Sequence, residues 1–282
     1  MNYFKDGYVE TVIVDDYFPV SQIDGKWAFA KGQDGKELWP VVLEKAYAKL
    51  YGSFANIEAG KVQYALQDMT DNGFPESCDL KVESANINAF WEKLKSLRRH
   101  GALMGAGTPE NALGDKAINE MGIVQGHAYG VLDVAEVDGQ RLVQIRNPHG
   151  HGGSEWKGDW CDGSEKWNER MKNKLNFSDK EDGVFWMDVL DFVQQYATLS
   201  VCRILKEEDG WKEIKINDEW IGKSAEGLPT KTNPNARLDF NPQYEIKVTK
   251  PCDGFVMLKQ MDKVNMFKGK HSIFFMVSKL NG

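Results

Sequence analysis

Two apolar runs rich in β-branched residues flank one tight turn signal, Val137-Asp138-Gly139, in HAYGVLDVAEVDGQRLVQIRNPHG (residues 127–150). Strand-forming runs joined by so short a loop must fold back on each other, so the chain has to contain an antiparallel hairpin. The segment begins at His127, Asn147 follows its second run, and the register decides whether those two side chains meet. A two-residue Asp-Gly turn pairs Val137 with Gln140, sets Asn147 opposite Gly130 and sends the two side chains to opposite faces. A three-residue loop with Gly139 left-handed pairs Glu136 with Gln140 and sets Asn147 opposite Tyr129. His127 and Asn147 are then diagonal neighbours on one face, roughly 7–8 Å apart at Cα. The three-residue loop is the expected register. Spacing alone leaves two readings open. The residues are strand-end polar groups bonded to backbone, or an amide fixes the imidazole tautomer so that its other nitrogen exchanges a proton with a thiol.

Around the hairpin the first two thirds of the chain mixes helices and strands. Residues 9–14 suit a short strand ending at Asp15-Asp16. Over residues 38–51 the positions Leu43, Tyr47 and Leu50 recur at helical spacing, with Pro40 in the first turn and Gly52 as the stop. Phe90, Leu94 and Leu97 predict a second helix closed by Arg98, Arg99 and Gly101, followed by a buried strand at ALMGAG. A third helix is expected over about 185–196, after the acidic turn EDG. From about residue 199 the runs LSVCRIL, WKEIKI, YEIKVT, GFVMLKQM and HSIFFMVSKL alternate with Gly, Pro, Asn and Asp clusters, the pattern of an antiparallel sandwich. A boundary near 200 gives two domains, 1–199 and 200–282, the second short for a full sandwich.

Composition narrows the function. A formal charge of −7 disfavours general nucleic-acid binding, which needs a basic stripe against phosphates. No run approaches a membrane span, and the N-terminus carries no basic-then-apolar leader pattern. The four cysteines, Cys78, Cys161, Cys202 and Cys252, lie far apart with no CxxC pair, which points to a reduced, cytoplasmic setting. His149-Gly150-His151 offers two imidazoles without a third ligand of suitable spacing, so the motif alone predicts no metal site. Trp156, Trp160, Trp167 and Trp186 are expected to pack loops, and GAGTPENALG to form a strand end near a cleft.

The hairpin residues GHAYGVLDV…RLVQIRNPHG resemble the histidine and asparagine segment of calpain-type cysteine proteases, whose usual form is GHAYSV…RNPWG. VIVDDYFP, ELWPVVLEKAYAKLYGSF, GALMGAGTP, SEWKGDWCDGSEKWN, EDGVFWMDVLDFVQQY and FNPQYEIKV resemble further segments of the family in family order. The resemblance implies an α+β fold: the histidine half of a papain-like protease followed by part of an antiparallel β-sandwich. It implies intracellular peptide-bond hydrolysis, with His127 as the catalytic histidine and Asn147 as its orienting asparagine. The family's nucleophile sits on a helix N-terminus in a QGxxGDCW-like stretch, which is not found here. FPESCDL around Cys78 resembles neither a nucleophile elbow nor a helix start. The chain alone is therefore expected to be inactive, as a fragment, as a subunit completed by another chain, or as a true pseudoprotease.

Two further departures follow from the resemblance. His149 stands where the family has a tryptophan held to cover the His–Asn hydrogen bond. The family is calcium-activated, and its acidic-loop ligands map onto Glu155, Asp162, the backbone carbonyl of Lys180 and Asp182. A further family glutamate corresponds to Val184, which donates no side-chain oxygen, so a weakened Ca2+ site is expected. The expected partner is a protein or peptide substrate met through a supplied cysteine subdomain; neither an organic cofactor nor an EF-hand is indicated. The reading from a different class is a non-catalytic module that binds a protein, calcium or lipid, with peripheral membrane contact through the sandwich.

Overall fold

The computed structural model describes residues 1–32, 36–70, 73–150, 154–231, 233–260, 273 and 275–278. It divides into two compact units, Met1–Leu205 with Lys259–Gly282, and Lys206–Leu258. The first unit opens with a two-stranded sheet, β1 (Asn2–Lys5) and β2 (Tyr8–Thr11), then α1 (Trp39–Leu50) and α2 (Val62–Met69). There follow β3 (Phe74–Asp79), the single turn α3 (Leu80–Glu83), α4 (Ile87–Arg99) and β4 (Leu103–Gly107). The hairpin β5 (Ala128–Val137) and β6 (Gln140–Arg146) comes next, then α5 (Glu169–Lys174), β7 (Val184–Asp188), α6 (Val189–Gln195) and β8 (Thr198–Arg203).

Six of these strands form one antiparallel sheet in the order β3-β8-β4-β5-β6-β7. One face of the sheet is packed by α4, whose Phe90, Trp91, Leu94 and Leu97 recur at helical spacing and are all buried. Asn86 caps that helix, accepting the Ala89 N–H at 3.1 Å, and Trp91 Nε1 donates to Glu136 of β5 at 2.7 Å. Full burial of each such apolar side chain contributes about 1.5–3 kcal/mol before entropy is counted. A second cluster, Leu142, Trp160, Trp167, Met171 and Trp186, fastens the loops after β6. All four tryptophans expected to pack loops are buried.

The hairpin turn is tighter than expected. Val137 pairs with Gln140, and Asp138 and Gly139 both take positive φ, 52° and 79°. That is the two-residue turn whose twist matches the strands it joins, and glycine is the residue that adopts it without strain. The register then slips by one residue between Val131 and Asp133, a bulge on β5, so that Gly130 faces Arg146. Carried one residue further, this sets Tyr129 against Asn147. The bulge thus produces, at the end that matters, the register that a three-residue loop would have produced at the other.

Three other expectations change. Residues 185–188 are strand rather than helix; the helix starts only at Val189, capped by Asp188, whose carboxylate accepts the Leu190 N–H at 2.8 Å. The strand expected over 9–14 is Tyr8–Thr11, the second strand of the two-stranded sheet, and it is exposed along its length. LSVCRIL does not open the second unit: its strand β8 lies in the middle of the six-stranded sheet, where Leu199, Val201 and Cys202 are fully buried between β3 and β4.

In the second unit the described residues form three short 3-10 turns and no strand. The runs at 211–216 and 244–249 alternate as strands do, yet Ile214, Ile216, Ile246 and Val248 are 76%, 56%, 68% and 61% exposed. Alternation marks a face to be covered, and a strand forms only when a neighbour completes its ladder. A sandwich over 200–282 therefore remains a proposal. The run at 271–280 lies largely outside the described residues.

Candidate active site

The ends of four neighbouring strands converge on one point. Thr108 follows β4, His127 precedes β5, Asn147 follows β6 and Gly183 precedes β7. Because all four strands are antiparallel to their neighbours, those ends lie at the same edge of the sheet.

Thr108 holds the backbone of His127 from both sides. Its N–H and its hydroxyl donate to the His127 carbonyl at 3.0 and 3.1 Å, and its hydroxyl oxygen accepts the His127 N–H at 2.9 Å. Asn147 is completely buried. Its Nδ2 donates to the Ser154 carbonyl at 3.2 Å, and the His149 N–H donates to its Oδ1 at 3.1 Å. Those two bonds orient the amide with oxygen toward His127, whose Nε2 lies 3.2 Å from Oδ1. An amide oxygen only accepts, so Nε2 carries the proton and Nδ1 keeps the lone pair.

The imidazole is half-buried, between the Tyr129 ring at 5.2 Å and the His149 ring at 4.4 Å. Burial lowers its pKa below the ordinary value of 6.5, and the like charge of His149 lowers it further; the Asn147 bond and Asp115 oppose them. The net direction favours a neutral ring at neutral pH, the form able to take a proton.

The acidic loops lie beside this pair and are joined to it through one residue. Glu155 Oε1 accepts the Gly183 N–H at 2.7 Å, and the Gly183 carbonyl accepts the Asn147 N–H at 2.7 Å. Gly183 has φ 84°, and a Cβ there would stand 2.8 Å from the Asn147 carbonyl oxygen, so a side chain has no room. Asp182 Oδ1 accepts the Val184 N–H at 3.0 Å, and the Lys180 carbonyl accepts the Asp182 N–H at 2.7 Å. Both carboxylate oxygens of Asp162 are buried with no hydrogen-bond partner. Burial, then the charges of Glu155, Asp182 and Asp179, push its pKa up to about 7. A buried carboxyl among carboxylates with no donor suits a cation. Among the described residues, however, these carboxylates do not form a set whose ligand atoms all lie within 4.8 Å of one another. Asp179 is the acidic neighbour that sequence reasoning missed.

The cysteines of the first unit have other surroundings. Cys78 is buried, accepts from Lys93 Nζ at 3.0 Å and donates to Glu76 at 3.4 Å; burial pushes its pKa up to about 11. Burial likewise raises Cys161 and Cys202, the latter against Thr70 at 3.5 Å. None is in the thiolate-favouring setting of a nucleophile. Thr108 and Gly183 were not singled out from the sequence; the TP after GAG and the glycine of EDG were the signals. His151 lies outside the described residues.

Comparison with known proteins adds family context. The profile described as "Calpain family cysteine protease" matches residues 1–203. The chain is 42% identical over 243 residues to "Calpain-type cysteine protease ADL1" of Oryza sativa subsp. japonica, covering 84% of this chain and 11% of that protein. It is 41% identical over 243 residues to "Calpain-type cysteine protease DEK1" of Zea mays, with the same coverage. It is 34% identical over 249 residues to "Calpain-8" of Mus musculus, covering 83% of this chain and 34% of that protein. The chain thus spans about a tenth of the plant relatives and about a third of the mammalian one.

Proposed function

The chain belongs to the calpain family of cysteine proteases, and on that premise we propose that it carries the proton-transfer half of a peptide-hydrolysing thiol site. The observation that carries this reading is the His127 Nε2 to Asn147 Oδ1 bond with its amide fixed on both sides. In the proposed reaction His127 Nδ1 takes the proton of a cysteine thiol, and the thiolate attacks the peptide carbonyl carbon. The proton passes from His127 to the departing amine, leaving an acyl-thioester. Water then attacks that ester, losing a proton to His127, which returns it to the thiol sulfur. Asn147 keeps the ring in the tautomer each step needs, and Thr108 keeps its backbone in place. The substrate class is protein or peptide.

In this reading the thiol comes from a supplied cysteine subdomain, supported by the burial that raises the pKa of Cys78, Cys161 and Cys202. We therefore propose that these 282 residues alone do not hydrolyse peptides. The test is a peptidase assay with and without a supplied cysteine subdomain. Activity that requires both parts and disappears in His127→Ala supports the reading. Hydrolysis by the chain alone, whether or not thiol blocking abolishes it, overturns it. The non-catalytic module is favoured by one observation, an imidazole at 149 packed on His127 in place of the family's tryptophan; failure of the completed assembly to hydrolyse would support it.

A calcium ion belongs to the same proposal. Glu155, Asp162, Asp182 and the second lone pair of the Lys180 carbonyl would hold it, with waters completing the shell. The orphaned oxygens of Asp162 support the fit. When bound, the ion would neutralise the acidic loops. A cytoplasmic setting is proposed as well, supported by four free cysteines. No described helix is long and apolar enough to cross a membrane.

A further inference from the structure

We propose that Asp115, His127 and His149 bind a divalent cation of the Zn2+ class at the mouth of the candidate site. One ligand atom from each lies within 4.8 Å of the other two, the one such set of three among the described residues. The ligands come from three places in the chain. Asp115 lies on the 3-10 turn Gly114–Lys116, His127 precedes β5, and His149 follows β6. Of the His149-Gly150-His151 motif the set takes His149, and the loop between β4 and β5 brings in Asp115.

The donor set selects the metal. Two imidazoles and one carboxylate suit a borderline cation such as Zn2+, with water in the fourth position. Calcium wants six or more oxygens and finds one carboxylate here. Zinc–ligand bonds of about 2.0–2.2 Å place tetrahedral ligand atoms about 3.4 Å apart. The set must therefore close somewhat, and Asp115 and His149 are both exposed, so their side chains can turn inward without repacking.

His127 is the prepared ligand. A metal-bound histidine ordinarily gives its second N–H to an oxygen, which fixes the ring and its tautomer. Asn147 Oδ1 is that oxygen, and the lone pair left for a metal is on Nδ1. Binding itself does not depend on the proposed hydrolysis. Its consequence does rest on that reading: the metal and a thiol proton would compete for one lone pair, so the cation would hold the site inactive. His149 stands where the family's usual motif has a tryptophan, so that motif does not supply this donor.

The test is calorimetric titration of the full chain with Zn2+, alongside NMR of the imidazole carbon-bound protons. We expect one equivalent to bind, moving the His127 and His149 signals together. Asp115→Asn and His149→Asn should each weaken binding by roughly tenfold or more. Both substituted residues are exposed, and circular dichroism checks that the variants fold. Binding unchanged in both variants would overturn the proposal. So would binding lost only in His151→Asn, or the absence of binding to the folded wild type. Because hydrolysis is not measured, a negative result leaves the protease reading untouched.

Discussion

Asp162→Asn should stabilise the metal-free protein at alkaline pH. The unfolded chain releases the Asp162 proton near 3.8, whereas the folded chain keeps it to about 7. Between those values the native state binds the extra proton, so stability falls as pH rises through the window. A shift of about 3 units at about 1.4 kcal/mol per unit gives about 4 kcal/mol. Partial exposure of the residue brings solvent screening, which roughly halves this to about 2 kcal/mol. For a cooperative unit of about 200 residues that is about 4–8 °C in Tm. The assay is thermal unfolding followed by circular dichroism at pH 5 and pH 8 in EDTA. The wild type should lose stability between the two pH values, and the variant should lose less and unfold later at pH 8. Added calcium should raise the wild type at pH 8 and leave the variant nearly unmoved. A variant that unfolds earlier than wild type at pH 8, or that shows the same pH slope, would refute the account of the orphaned carboxyl.

Gly183→Ala should lower Tm, since φ 84° and the 2.8 Å approach to the Asn147 carbonyl leave no room for a Cβ; backbone strain alone costs roughly 1–3 kcal/mol, read by the same melts. His149→Asn should raise the His127 imidazole pKa toward 6.5 and Asp115→Asn should lower it, because the first removes a like charge and the second an opposite one; NMR titration in EDTA separates the two signs. Leu94→Ala, at a completely buried site of α4, should cost about 2–5 kcal/mol by urea unfolding, with a midpoint shift near zero counting against the packing of that helix on the sheet.

What the sequence makes legible is local pattern, and what it hides is partnership. The periodicity of α1 and α4 predicts their helices because each turns an apolar stripe inward, and the run ALMGAG predicts a strand buried on both faces, as Met104, Gly105 and Ala106 are. The strand β3 is hidden by Pro75, which is tolerated because β3 lies at the edge of the sheet. The run FWMDVLDFV has apolar positions that suit helix and strand alike; only Asp188, as a cap, divides it. LSVCRIL is plainly a strand, but periodicity does not say which sheet receives it. The hairpin is the sharpest case. The expected side-by-side placement of His127 and Asn147 holds, yet its cause is a bulge near Leu132 and not the loop at Val137.

The same distinction governs the candidate site. His127 and Asn147 are visible because a hairpin delivers both, while Thr108, Asp115 and Gly183 are not, since three other chain segments bring them there. Gly183 matters most among these. Its N–H serves Glu155 of the acidic loop, and its carbonyl serves the Asn147 backbone, so a single residue ties carboxylate and orienting amide together. A movement that draws Glu155 away must either break the 2.7 Å bond to Gly183 or carry Gly183 with it. With no Cβ, and with Asn147 packed directly against it, Gly183 can follow only if the Asn147 turn follows too. Asn147 also sets the tautomer of His127. The charge state of the acidic loops and the basicity available at Nδ1 are therefore joined by three consecutive hydrogen bonds.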